Sequence, residues 1–155
     1  MARSNIRAGN TWERDCVNKL KSRSIYPHVV TSRYANRARD HKDKIDLVNS
    51  DEHLRGMMTD SIQTKTTVDN LNYAQILESM TSFPGTRKVI WHRKTKKAGK
   101  LFKEVGQFAI MSIDDHIELL AHWRAAQVLQ KVLPHLPEET QEEVKKELST
   151  LGLPY

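Results

Sequence analysis

A chain of 155 residues, 38% hydrophobic and 28% charged, suits one domain with its own core and is too short for two ordinary ones. No run approaches the ~20 apolar residues of a membrane span, and the opening Met-Ala-Arg-Ser-Asn-Ile-Arg has no apolar signal core. The lone Cys16 excludes an internal disulfide framework, so a cytoplasmic protein is expected. The net charge is +6. The basic residues cluster in two stretches, 33 to 44 and 87 to 103, while residues 138 to 147 are acidic. Clustered basic loops suggest a polyanion partner, most commonly nucleic acid; the plainer reading is a solvated lysine-rich surface.

Residues 1 to 9 are polar and read as a loose lead-in. A helix is expected from about 10 to 22, because Glu13, Cys16, Val17 and Leu20 follow the spacing of one helical face. Glu13 is the odd member of that stripe. Asn10 followed by Glu13 resembles a capping box, so capping and chemistry are both open for this carboxylate. Residues 26 to 32 read as a first strand with Val29 and Val30 as β-formers, and Pro27 puts its start near an edge. A basic loop, 33 to 43, follows.

Two further strands are expected at about 44 to 49 and 59 to 67, joined by a short polar connection that suits an antiparallel hairpin. Strand alternation puts Ile45 and Leu47 on one face and Asp46 on the other. Gln63 and Lys65 share a face, about 7 Å apart, opposite to Ile62. The apolar residues anchor the strands, and a carboxylate, an amide and an ammonium remain. Asp43 and Asp60 are spare carboxylates of opposite parity.

A short helix is expected from 72 to 80, ended by Phe83-Pro84-Gly85. A fourth strand follows at 88 to 92, then a lysine-rich solvent loop at 93 to 103 and a fifth strand at 107 to 112. Ser112 with Asp115 opens a long helix, about 113 to 133, with an apolar stripe of Ile113, Ile117, Leu120, Val128, Leu129 and Val132. His116 and His122 are six apart, off helical ligand spacing, and read as surface or packing residues. A last helix, about 138 to 150, has only Val144, Leu148 and Leu151 to bury, which leaves docking on the domain or on a second copy open. The order predicts a single α/β domain, 1-155, with a central mixed five-stranded sheet flanked by helices. Its core spans about 9-133, with a helical extension at about 137-151.

Gly-Asn-Thr-Trp-Glu13 opening a helix, Lys44-Ile-Asp46-Leu-Val, Ile62-Gln63-Thr-Lys65, and the later Val-Ile-Trp-His-Arg and Gln-Phe-Ala-Ile-Met-Ser-Ile segments together resemble the PD-(D/E)xK nuclease superfamily. Within it the chain looks most like the Holliday-junction resolvases of archaea and phages, over about residues 9 to 121. The resemblance implies a restriction-endonuclease-like fold and a metal-dependent, structure-selective DNA endonuclease. The substrate would be branched or four-way-junction DNA, the cofactor magnesium or manganese, and the assembly a homodimer that cuts two strands symmetrically. It also implies roles. Asp46 would be the central metal ligand, Gln63 a side-chain carbonyl ligand, Glu13 a holder of a second ion or a metal-bound water, and Lys65 the group that orients water or stabilises negative charge.

Ser32, Arg33, Arg37 and Arg39 would contact phosphates beside the scissile bond, with Lys94, Lys96 and Lys97 as a second contact. The chain departs from the pattern in two places: Gln63 stands where an acid is usual, and Ile45 where the proline is. Two other readings remain: a nicking, restriction or repair nuclease of the same fold, and a DNA-binding module whose nuclease site has decayed.

Overall fold

The computed structural model describes residues 2–23, 25–35, 42–50, 58–99 and 101–150. They form two compact units, Met1–Met111 and Ser112–Tyr155. The first unit is α/β. Its elements are α1 (Ala2–Ser22), β1 (Val29–Thr31), a helical turn α2 (Ser32–Ala35), β2 (Leu47–Asn49), β3 (Asp60–Thr67), α3 (Tyr73–Ser79), β4 (Arg87–Ala98) and β5 (Leu101–Ile110). The five strands form one mixed sheet in the order β1-β2-β3-β4-β5, so the expected class and strand count hold. All neighbours are antiparallel except β3 and β4, which run parallel and are connected through α3.

Helix α1 starts eight residues earlier than expected, because nothing in residues 2 to 9 breaks a helix. Asn10 is therefore interior, and the proposed capping box does not form. The stripe itself is as read: Trp12, Glu13, Cys16, Val17 and Leu20 are buried. They pack with Val29, Leu47, Met58 and Ile62, which anchors α1 on one face of the sheet. The Trp12 indole N–H donates to the carbonyl of Trp91 at 3.1 Å. Two cations also lie over the Trp12 ring, Arg93 at 5.0 Å and Lys19 at 5.3 Å from its centroid. Burial pushes the Cys16 thiol up to about 12, against a smaller opposing pull from Lys19.

The opposite face carries α3. Asn72 caps this helix by accepting from the Gln75 amide. Tyr73 then meets the fully buried His92 of β4, with its hydroxyl 2.8 Å from Nδ1.

Strands β4 and β5 are longer than expected. The lysine-rich segment expected as a loop is mostly strand, and the two strands pair from Ile90 with Ile110 out to Ala98 with Leu101. Gly99, at φ +62°, starts the tight return that only a residue without a side chain adopts readily. Pairing decides this: alternating Thr and Lys need no buried partner to lie in a two-stranded ribbon.

The second unit holds α4 (Ile113–Val132), a 3-10 turn (Leu133–His135) and α5 (Glu138–Thr150). Ser112 caps α4 as read, its hydroxyl oxygen accepting from the Asp115 amide. The expected apolar stripe of α4 buries nothing: Ile113 is 78% exposed and Ile117 57%. His116 and His122 are exposed, in keeping with a surface role. Among the described residues, no helix is long and apolar enough to cross a membrane.

Candidate functional site at the fork of the second and third strands

The site forms where β2 ends. Backbone carbonyls and amides of alternate β3 residues point toward β2, and Thr64 is one of them. Strand β2 begins only at Leu47, so it has no backbone acceptor to offer Thr64. Asp46 supplies one from its side chain: Oδ2 accepts from Thr64 N at 2.6 Å and from Thr64 Oγ1 at 3.1 Å. The Asp46 amide donates to the Ile62 carbonyl, although Ile62 is the register partner of Leu47. Two residues of one strand thus face one of its neighbour, as in a β-bulge, a device that re-aims side chains. Two positions earlier Lys44 has φ 55°, an uncommon conformation for a residue with a side chain. The bulge takes Asp46 out of strict alternation and holds its carboxylate in the gap between β2 and β3.

The neighbours come from β1, α2 and α1. The buried Ser32 donates its amide to the Asp46 carbonyl at 2.8 Å. Next to it, Arg33 donates to Glu13 Oε1 at 3.0 Å and also bonds Asn10 Oδ1. Glu13 is therefore not a helix cap but a buried carboxylate, 5% exposed, in an ion pair. Ser32 and Asp46 are brought together, as are Arg33 and Glu13, and Thr64 is the partner of Asp46 that sequence reasoning missed. Only a missing strand partner marks that threonine, and no sequence pattern shows it.

Gln63 and Lys65 lie across β3. The register pairs Gln63 with Ile90 and Lys65 with His92. His92 packs on Tyr73 of α3, whereas Trp91 and Arg93, on the alternate face, pack on α1. The side chains of Gln63 and Lys65 thus share the α3 face, and Glu13 the α1 face, where Asp46 meets Thr64 Oγ1. Gln63 is 5% exposed, and among the described residues its Oε1 has no hydrogen-bond partner. His92 Nε2, on the same face, also lacks one. Burial, with a smaller contribution from Lys94, lowers the His92 pKa.

Asp60 is tied to Arg87 at 2.8 Å at the start of β3 and β4, which gives this spare carboxylate a structural role. Arg37 and Arg39 lie outside the described residues. The three lysines divide. Lys94 is held by the Asp69 carbonyl and Asn70 Oδ1, while Lys96 and Lys97 are exposed on opposite faces of the ribbon.

Could the fork hold a divalent cation? Among the described residues, no group of three or more His, Cys, Asp or Glu is arranged for one. Hard cations accept neutral carbonyl oxygens as well as carboxylates, however, and the orphaned, desolvated Gln63 Oε1 is a donor of that kind. No protein-family model, curated protein or solved structure matches the chain.

Proposed function

We propose that this chain is a divalent-metal-dependent DNA endonuclease of the restriction-endonuclease-like fold that cuts branched DNA, with the four-way junction as its substrate and a second copy supplying the second cut. The observation that carries the reading is the buried Gln63 Oε1, without a hydrogen-bond partner among the described residues and one position along β3 from the Thr64 that holds Asp46. A desolvated carbonyl without a donor costs about 1–3 kcal/mol, and a cation removes that cost. The mixed five-stranded sheet and the nuclease-like order of Glu13, Asp46, Gln63 and Lys65 support it, as does the net charge of +6.

Asp46, Gln63 and Glu13 would hold magnesium or manganese, which supplies an activated water and counter-charge for phosphodiester hydrolysis. Asp46 is fixed before substrate arrives, because Thr64 N and Oγ1 hold its carboxylate and Ser32 holds its carbonyl. Lys65, two residues from Gln63 on the same face, offers an ammonium to the charge that develops on the phosphate. The Arg33 side chain is 43% exposed while its partner Glu13 is 7% exposed, so a DNA phosphate can reach the guanidinium from outside. There it positions the backbone without reading bases.

A second reading, a DNA-binding module without catalysis, is favoured by one observation: Gln63 and Lys65 share a face that Glu13 does not. One assay separates the readings. Labelled four-way junction, linear duplex and flap are incubated with the protein in magnesium and in chelator. Cutting of the junction in magnesium alone, with the duplex intact, is the expected result. Equal cutting of duplex and junction keeps the nuclease but removes the resolvase. Binding without any cutting leaves the binding module.

A further inference from the structure

A cleft of about 490 Å³ lies on the α1 face of the sheet, further along β3 from the fork, and the nuclease reading makes no use of it. That volume is in the range of small-ligand pockets. Thr66 and Arg93, register partners on β3 and β4, line it. Phe102 of β5 also lines it and is 62% exposed. Asp69 and Glu104 line it as well, and both are exposed. Thr66 follows Thr64 on the same face of β3, so the cleft continues the surface on which Asp46 is held.

We propose that this cleft receives one unpaired nucleobase of the DNA, stacked on Phe102, with the attached phosphate outside on Lys97. The chemistry decides between base and phosphate. The cation at the cleft, Arg93, already donates to Asp15 and to the Ala8 carbonyl and lies over Trp12. Among the described residues, the exposed charges lining the cleft are two carboxylates, which repel phosphate and accept from the exocyclic amines of adenine, cytosine and guanine. An aromatic side chain left 62% in water is a costly surface unless something flat covers it, and every base has a π-face. Lys97 is the direct register partner of Phe102 and so shares its side of the ribbon; it is exposed. Lys96, paired with Lys103, points the other way. One face of the ribbon thus presents an aromatic residue and a lysine at paired positions.

Two polar atoms at the cleft residues, Thr66 Oγ1 and Arg93 Nε, are buried without partners among the described residues. They are shut off from solvent, so a base reaches them only after a side-chain rotation; the stack on Phe102 needs none.

This inference rests on the DNA reading above, and its test is run in chelator so that no cleavage is needed. The probe is a duplex with one unpaired 2-aminopurine, compared with the same duplex fully paired. The full chain is expected to bind the bulged duplex about 10-fold more tightly than the paired one, within what one base–aromatic stack contributes. Emission should rise as the base leaves the helical stack. Phe102→Ala should erase both the preference and the rise, and Phe102→Tyr should keep them. The thermal midpoint of each variant checks folding. Equal affinity of the wild type for the two duplexes overturns the pocket, as does a preference that survives Phe102→Ala. So does an equal loss of both affinities in that variant. Junction cleavage in magnesium, measured on the same proteins, reports separately on the nuclease: a failed pocket leaves it intact, and a failed nuclease leaves the bulge preference intact.

Discussion

Strands β3 and β5 invite comparison, because they sit in the same sheet and differ in almost everything that surrounds them. From Ser61 to Thr64, β3 is buried. It has a strand on each side, α1 on one face and α3 reaching the other. No residue of β5 is buried, and Leu101, Phe102, Val105 and Phe108 are all more than half exposed. The more polar strand is thus the buried one. Composition does not assign burial; position in the sheet does. A central strand can hold a charged group such as Asp46 in place with backbone donors, whereas an edge strand offers an open surface that suits a partner.

The largest expected effect is at the fork. Asp46→Ala should lower junction cleavage by at least about 100-fold, since even residues that only support metal ligands cost 10–100-fold. It should leave junction binding in place. Urea unfolding should also show a loss of about 1–3 kcal/mol, because Thr64 N loses its acceptor. Cleavage that survives the change would move the site elsewhere.

The comparison of strands sharpens next through stability. Ile62→Ala in β3 removes a side chain that is 1% exposed and should cost about 2–5 kcal/mol. Phe108→Ala in β5, 51% exposed, should change stability by about 0.5 kcal/mol. Similar losses for both in urea titrations would show that β5 is covered in solution, as it would be in a dimer.

A smaller effect belongs to pH. The pKa of His92 is lowered by burial, so below the ordinary value of about 6.5 the unfolded chain binds a proton that the folded chain refuses. Stability is therefore fully present above about pH 6.5 and falls as pH drops below it. His92→Gln should flatten the difference between urea midpoints at pH 7.5 and pH 5.5. An unchanged slope would assign the pH response to other groups.

The smallest effect is chemical. With its thiol held at about 12, Cys16 should resist iodoacetamide at pH 8 in the folded protein and react in guanidinium, as followed by mass spectrometry. Rapid labelling of the folded chain would mean that α1 opens readily from β3.

Much of this architecture was legible because its causes are local. The buried stripe of α1 follows from spacing alone, and Glu13 stood out as a carboxylate on an apolar face. Ser112 announced a helix start through the cap chemistry of a short polar side chain. Gly99 was a poor guide, since a lysine-rich stretch reads as loop whether or not it pairs. The same limit hid the true start of α1, where the absence of a breaker is weaker evidence than a stripe.

By itself, the sequence determined the order of the main helices and strands and a set of polar groups with no place in a core. It also determined, by strict alternation, that Gln63 and Lys65 share a face. Tertiary structure decided the rest. Because β2 begins only at Leu47, a bulge carries the Asp46 carboxylate to Thr64; because β4 pairs with β5 to its tip, Lys97 and Phe102 become neighbours. Pairing joins residues distant along the chain, and no local pattern encodes where it stops.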